Sequence, residues 1–458
     1  IDQEIPIRDL KRFVAEYPFE GKPEYSPPEQ NREKVAVVGA GPAGMTAAFD
    51  LALRGFLPVV FDEHEIPGGI LASAIPTYRL PRDVIRLDTD FILAHGVEFR
   101  GPVKIGKDRT IDDLRSEGFA AVIIAVGLSK SIGLDIPGGD AQGVHLALPY
   151  LEAFTGDERP AGGKKVVVIG GGNVAVDVAR TAVRAGAETV DMVMLESEEE
   201  QPAWEWEARE GLEEGVRMQH RLGPKEILVK DGRVAGIEMR KVVRVFDAQG
   251  RFSPEYDEAN LTTIDCDTIV FAIGQKGDVS FAEAARIETD ERGRLVMNTD
   301  TLQTSRSDVF ACGEIITGPG AAVEAVASGH QAARAVEQYL SGQTIDLTEK
   351  LPAEIGELPE DFSEKVYKFE RPEMPAVSAS ERKNNFEEFE LGLSEEAVLK
   401  AARSCMSCAS GATVITDKCT ACLTCLRVCP FDVPVVHEVA EIGSTLCQAC
   451  GICSAECP

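Results

Sequence analysis

The chain has 458 residues, 44% hydrophobic and 27% charged, enough for about three domains with sizeable cores. A formal net charge of −29 and a pI near 4.7 argue against nucleic acid or an anionic membrane surface as partner. No apolar run reaches the length of a membrane span, so no membrane insertion is expected.

Residues 1–32 are polar and proline-bearing, with a short helix expected over 7–17 and an extended strap after it. The run Lys34-Val35-Ala36-Val37-Val38 then reads as a buried strand, followed by G-x-G-x-x-G at Gly39, Gly41 and Gly44 and a helix over 45–53. The next strand, 59–61, ends at Asp62, 18 residues past Gly44. Strand, glycine turn, helix, strand and acid together make the dinucleotide fingerprint. Gly39 permits the turn, Gly41 lets the backbone approach a pyrophosphate, and Gly44 lets helix and strand pack closely. The helix N-terminus, with Pro42 and Ala43, favours the phosphates. Asp62 is placed to accept from a ribose, with Glu63 beside it. Gly69, Ile70 and Leu71 in Pro67-Gly68-Gly69-Ile70-Leu71 suit a loop passing a flat ligand, and equally an ordinary turn. Arg79 in the following 75–81 stretch is a further binding candidate. A second buried strand over 120–127 ends in glycine and adds Ala125 and Gly127.

The fingerprint recurs at 165–175 as G-x-G-x-x-A, with Gly170, Gly172, Asn173, Val174 and Ala175 opening a helix over 174–185. Its second strand, 190–195, ends at Glu196, 21 residues past Ala175. A carboxylate there binds a ribose 2′-hydroxyl and repels a 2′-phosphate, and no arginine stands in 195–201. The site is therefore expected to prefer NAD(H) over NADP(H). Glu198, Glu199 and Glu200 read as a solvated loop.

Residues 225–265 alternate short strands and turns, a small sheet within the second nucleotide region. The strand 267–274 ends at Gly274, as 120–127 ends at Gly127. A further strand runs into Gly313-Glu314, ahead of a helix expected to begin at Ala321 and Ala322 and run to about 339. An acid at such a strand end, beside a helix N-terminus, is placed to hold a flavin's ribityl chain. Cys266 and Cys312 are 46 residues apart and form no C-x-x-C pair, so they are expected to be inert and buried.

Residues 341–397 are rich in Glu and Pro and read as a long surface tether. A helix over 391–403 leads to Cys405-Met406-Ser407-Cys408. For this pair three readings stand open: a metal shared with a partner chain, a redox pair, or free thiols. Then Cys419, Cys422, Cys425 and Cys429-Pro430 are followed by Cys447, Cys450, Cys453 and Cys457-Pro458. Both runs are C-x2-C-x2-C-x3-C-P, the bacterial ferredoxin pattern for two [4Fe–4S] clusters. The fourth cysteine of each run ligates the other cluster, so Cys457 joins Cys419, Cys422 and Cys425, and Cys429 joins Cys447, Cys450 and Cys453. Zinc sites do not call for two proline-closed runs of four. Disulfide scaffolds do not concentrate 10 of 12 cysteines in their last 54 residues. Cluster chemistry points to a reducing cytoplasm. The six histidines show no metal-binding spacing and read as structural or surface residues.

These motifs resemble the small, NAD(P)H-oxidising subunit of bacterial glutamate synthase and its relatives. The resemblance rests on 38–44, Pro67-Gly68-Gly69-Ile70-Leu71, Ile75-Pro76-Thr77-Tyr78-Arg79-Leu80, 168–175, Pro202-Ala203-Trp204 and Gly318-Pro319-Gly320, and covers about 5–345. It implies FAD in the first fingerprint and a nicotinamide cofactor in the second. The chain departs from the family in three places. The cysteines usual ahead of the equivalent of Ile7 are absent, and the chain begins at Ile1, as expected for part of something longer. Leu195-Glu196 replaces the usual arginines. Gly313-Glu314 replaces the usual glycine–aspartate.

The expected architecture is α/β: two nested Rossmann-like dinucleotide-binding domains plus a small bacterial-type ferredoxin domain. A strap (1–32) precedes an FAD domain (33–150 and 278–345) split by an NAD domain (151–277), with a linker (346–400) and the ferredoxin module (401–458). The expected function is a flavoprotein oxidoreductase subunit passing electrons between NAD(H), FAD and two [4Fe–4S] clusters, to or from partner subunits or ferredoxin, with electron bifurcation as one form. Hydride transfer depends on orientation more than on an acid or base, so no catalytic residue is named. The second reading is a glutamate-synthase-type subunit feeding an amidotransferase. A third is a scaffold with regulatory nucleotide sites.

Overall fold

The computed structural model describes residues 5–17, 29–156, 159–160, 162–348, 370–402, 412–430, 433–443, 447 and 452–457. The chain divides into two compact units. Helix α1 (Ile7–Glu16) opens the smaller one, which also takes in Thr348–Ala376 and Glu390–Pro458. The larger holds Glu24–Leu347 and Val377–Phe389.

In the larger unit, apolar runs rich in valine and isoleucine make strands buried on both faces, as parallel sheets require. The first half comprises β1 (Lys34–Val38), α2 (Pro42–Leu53), β2 (Leu57–Phe61), α3 (Ile70–Ser73), α4 (Arg82–Ala94), β3 (Glu98–Arg100), α5 (Ile111–Ser116) and β4 (Phe119–Ile124). Two residues, Lys130–Ser131, form β5 and lead out of it.

The second half holds β6 (Val144–Leu146), α6 (Ala147–Glu152), β7 (Lys165–Ile169), α7 (Asn173–Arg184), β8 (Thr189–Val193), α8 (Glu205–Glu213) and β9 (Arg217–Gln219). A hairpin sheet follows: β10 (Leu222–Lys230), β11 (Arg233–Phe246) and β12 (Phe252–Ile264). Then β13 (Thr268–Phe271) closes the half, and β14 (Gln275–Lys276) returns beside β5. Finally β15 (Val309–Ala311), α9 (Glu314–Thr317) and α10 (Ala322–Leu340) complete the first half.

The two parallel sheets run β15-β4-β1-β2-β3 and β6-β13-β7-β8-β9. In each, the strand order reverses at the glycine-turn strand, β1 or β7, which is where open α/β sheets bind ligands. The nested α/β architecture agrees with the sequence, and the strand and helix ends of this unit shift by up to three residues. Among the described residues no helix is long and apolar enough to cross a membrane.

The tether expectation needs correction at Val377–Phe389. This stretch is built into the larger unit, with Arg382 and Phe389 buried. The Glu/Pro-rich composition around it hid one arginine and two phenylalanines that fill an internal cleft.

In the smaller unit, Glu395–Ala402 is helical and touches α1. Short helices Thr424–Val428 and Ile452–Ala455 pack together beside a hairpin of Pro434–Val436 and Ala440–Ile442. Cys405, Cys408 and Cys450 lie outside the described residues.

Candidate functional site

The first glycine turn is shaped by close contact. Gly39 has φ +110°, and a Cβ there would lie 2.3 Å from the Ala125 carbonyl oxygen at the end of β4. A Cβ on Gly44 would sit 2.0 Å from the Gly39 oxygen. Neither position admits a side chain, so turn, helix and neighbouring strand close on one another.

They form one wall of a cavity of about 350 Å³. Of the residues expected at this site, Gly39, Gly41, Pro42, Ala43, Asp62, Glu63, Gly69, Ile70, Ala125, Gly127, Gly313 and Glu314 line it. Gly44 supports it from behind. Leu71 opens onto the Arg82 guanidinium through its carbonyl (2.6 Å), and Ala321 and Ala322 begin α10. Arg79 is engaged elsewhere: its Nη1 donates to both Asp177 oxygens at 2.7 Å, and Nη2 reaches Glu207.

Asp62 Oδ2 accepts from the Ala40 amide at 2.7 Å, and Oδ1 accepts from the His64 amide at 2.9 Å with His64 Nδ1 at 2.8 Å. The hydrogen bond to Asp62 raises the His64 pKa against the opposing effect of burial. The carboxylate thus braces the turn while keeping lone pairs for a ribose hydroxyl. Glu314 Oε1 accepts from the Gly320 amide at 3.1 Å, and Oε2 lies beside Gly127.

Sequence reasoning missed four ionisable wall residues: His64, Lys104, Glu152 and Asp278. Lys104 bridges Glu63 (2.5 Å) and Asp278 (3.1 Å). Burial works against ionisation of Asp278, yet hydrogen bonds from Lys130, Ser280 and Lys104 keep it well below the usual carboxylate range. Burial pushes Glu152 upward. The only signal in the sequence was proximity, since His64 follows Asp62 by two.

The second turn repeats the first. Gly170 has φ +142°, and a Cβ there would lie 2.3 Å from the Ala272 oxygen after β13. Space above Gly172 is open. Asn173 Oδ1 accepts from the Trp204 amide at 2.9 Å, and Ala203 N donates to Gly171 O at 3.0 Å, which brings Pro202-Ala203-Trp204 to the turn. Trp204 and Trp206 are exposed and stacked, 4.9 Å between ring centroids. Val174 and Ala175 sit in the first turn of α7, Ala175 fully buried. Glu196 follows β8, half-buried. Arg221, whose amide donates to the Glu196 carbonyl at 3.1 Å, pairs through its guanidinium with Glu200 at 2.8 Å. Gly274 accepts from Ile132 N at 2.9 Å where the chain crosses between halves. Cys266 and Cys312 are buried, as expected, and burial pushes both thiols up to about 12.

In the smaller unit, the Ala440 amide donates to Cys419 Sγ at 3.3 Å and the Ala412 amide to Cys447 Sγ at 3.4 Å. Ala421 and Leu423, between ligand positions, are left-handed (φ +52° and +65°), curling the chain around the thiols. The Thr424 hydroxyl lowers the Cys422 pKa. Amide donors to sulfur and a chain curled around the thiols suit thiolate ligands of a cluster. Among the described residues no three His, Cys, Asp or Glu side chains converge on a single ion. A cubane holds its thiolates farther apart than one ion does.

Residues 33–329 match the pyridine nucleotide-disulphide oxidoreductase family, and 412–435 match the 4Fe-4S binding domain. The NADP(+)-dependent formate dehydrogenase subunit beta of Moorella thermoacetica is 36% identical over 76% of this chain and 53% of its own length. The glutamate synthase [NADPH] small chain of Escherichia coli is 33% identical over 73% of this chain and 75% of its own. The chain thus spans from about half to three quarters of these relatives. FprA from Mycobacterium tuberculosis, solved with NADPH, shares the fold at TM-score 0.59 and 18% identity, over 68% of this chain and 85% of that one. The two matched domains imply FAD and NAD(P)H binding and a [4Fe–4S] cluster.

Proposed function

Because the chain belongs to the pyridine nucleotide-disulphide oxidoreductase family, and within it to the group of the glutamate synthase small chain, we propose that it is an NAD(H)-preferring electron-transfer subunit. In this reading FAD occupies the first turn, the nicotinamide nucleotide the second, and two [4Fe–4S] clusters the cysteine runs. Other subunits or a ferredoxin give or take the electrons.

The observation that carries it is the duplicated turn. Gly39 against Ala125 and Gly170 against Ala272 press two like glycine turns onto the neighbouring strand ends within one unit. When bound, the nicotinamide and flavin supply hydride transfer and the clusters supply single-electron steps. The chain's residues bind and orient. The N-termini of α2 and α7 favour the two pyrophosphates. Asp62 and Glu196 take ribose hydroxyls. Glu314, braced by the Gly320 amide, faces Gly127 where a ribityl chain would pass. Fully buried Cys312 leaves the flavin side without an accessible thiol among the described residues, which favours the clusters as the exit.

The preference for NAD(H) rests on Glu196 and on the Arg221–Glu200 pair, which occupies a guanidinium on a residue bonded to Glu196 through the backbone. The two relatives are named for NADP(+) or NADPH, so in this reading cofactor choice is where the chain would differ from them. The test is anaerobic titration of the purified protein with NADH and NADPH. Flavin bleaching, then cluster signals by electron paramagnetic resonance, is expected first with NADH. No bleaching by either nucleotide sinks the reading. Kinship with the glutamate synthase small chain favours a second acceptor, an amidotransferase partner, recognised by glutamate formation when that partner is added.

A further inference from the structure

The two nucleotide-binding halves are joined covalently by two crossings, which pair as β5 and β14, two residues each. So short a ribbon is a hinge, and alone it would not hold one orientation. The orientation is set elsewhere.

Loop 75–81 of the first half meets α7 and α8 of the second. Tyr78 is fully buried, with the Arg184 guanidinium 3.8 Å from its ring centroid, and burial pushes its hydroxyl up to about 12. Beside it, Arg79 is held by Asp177 and Glu207. Val377–Phe389 closes over this contact and bonds to both sides. Toward the first half, Phe386 O accepts from Thr77 Oγ1 at 3.2 Å and Phe389 N donates to Tyr78 O at 3.4 Å. Toward the second, Arg382 donates to Glu214 and Glu213, each at 2.8 Å, and the Phe386 ring lies parallel to that of Phe154.

We propose that Val377–Phe389 is a clasp that fixes the two halves in the orientation hydride transfer needs, with Arg382 and Phe386 as positioning residues. This rests on the placement of flavin and nicotinamide proposed above. Buried ion pairs are poor sources of net stability but demanding in geometry. Rotation about the hinge would break the pairs of Arg79 with Asp177 and Glu207 together, so the clasped state is held by several contacts at once. Reacting atoms must lie within about 3.5 Å, and a misplacement of about 1 Å costs roughly 100-fold in rate. A segment that leads toward the cysteine-rich tail thereby governs geometry at the flavin.

Phe386→Ala and Arg382→Met in the full cofactor-loaded chain test this. Phe386 is only half-buried, so its variant is expected to fold even if the other does not. In rapid mixing with NADH, the limiting rate of flavin bleaching is expected to fall about 10- to 100-fold. The nucleotide concentration for half-maximal rate and the FAD per chain should change little. Amide hydrogen exchange in loop 75–81, α7 and α8 should accelerate about tenfold or more. Bleaching and exchange rates at wild-type values overturn the clasp, as does a slower rate with unchanged exchange. If the wild type is not bleached at all, the functional reading falls instead. The clasp is then judged by exchange alone, with faster exchange supporting it and unchanged exchange overturning it.

Discussion

Arg382 Nε donates to Glu214 Oε1 at 2.8 Å, across 168 residues of sequence, where the two side chains are 6% and 0% exposed. Glu214 also accepts from Arg180 at 2.8 Å and from Arg184. One buried carboxylate thus neutralises guanidinium groups from α7 and from the clasp. Glu214→Gln leaves three arginines facing a neutral amide. Breaking a buried pair from one side costs about 3–5 kcal/mol, so urea unfolding should shift by that order. Arg382→Met, which leaves Glu214 two arginines, should cost less. A Glu214→Gln variant as stable as wild type would show that the network contributes nothing.

The same carboxylate sets an acid limit. Burial opposes its ionisation, but hydrogen bonds from Arg184 and Arg180 win and lower its pKa from 4.5 to about 2. A depressed folded-state pKa contributes stability that is complete above pH 4.5 and is lost as pH falls from 4.5 toward 2. The contribution is on the order of 3 kcal/mol. Wild type should therefore lose urea resistance more steeply than Glu214→Gln on acidification through that window. Parallel slopes would exclude Glu214 as the titrating group.

Gly44→Ala tests the first turn. The added methyl would lie 2.0 Å from the Gly39 oxygen, closer than atoms tolerate, so the helix must move off the strand. Most bound flavin should be lost, read as the flavin-to-protein absorbance ratio after gel filtration. Gly156→Ala, where a Cβ meets nothing within 4 Å, is the control and should keep its flavin.

Both nucleotide turns could be read from sequence because strand, glycines and helix are contiguous, and their spacing encodes the close approach. Gly127 and Glu314 were found separately as strand-end residues, although only the fold brings them together. Lys104, Glu152 and Asp278 carried no such signal, since each reaches the cavity from a different loop or helix. Arg79 reads from sequence as a binding candidate in the stretch after the glycine loop, but its side chain is held by carboxylates of the other half. Its partner Asp177 lies 98 residues away, and no local pattern announces a pairing across halves. The clasp was hidden for the same reason: Arg382 and Phe389 stand in a stretch whose average composition is that of a tether.

The proposed preference for NAD(H) is tested at Glu196 and Arg221. Glu196→Arg should raise kcat/KM for NADPH relative to NADH by about tenfold or more, since one charge-assisted bond to a phosphate is worth roughly 1.5–3 kcal/mol. Adding Glu200→Gln, which releases Arg221 from its 2.8 Å pair, should extend the gain. An unchanged preference in the double variant removes Glu196 from the ribose site.

The chain's two tryptophans, Trp204 and Trp206, both stand by the second turn through the Trp204–Asn173 bond, so their emission reports on that site. ADP-ribose, which does not absorb at tryptophan emission wavelengths, should change it. Asn173→Ala should weaken that response. Indifference to ADP-ribose would place the dinucleotide away from α8.

The crossed ligation expected of two clusters has its own test. Ala412, ahead of the first cysteine run, donates to Cys447 in the second, and helices Thr424–Val428 and Ile452–Ala455 pack together. The two runs are thus interleaved, as crossed ligation demands. If Cys429 belongs with Cys447, Cys450 and Cys453, Cys429→Ser and Cys447→Ser damage one and the same cluster. The double variant should then keep about four of about eight iron atoms per chain, as each single variant does. Cys429→Ser combined with Cys419→Ser should lose nearly all, because each change strikes a different cluster. Iron and sulfide analysis of the purified chains reads this directly. The reverse result, with the Cys419 and Cys429 changes costing no more together than either alone, would mean that each run closes its own cluster.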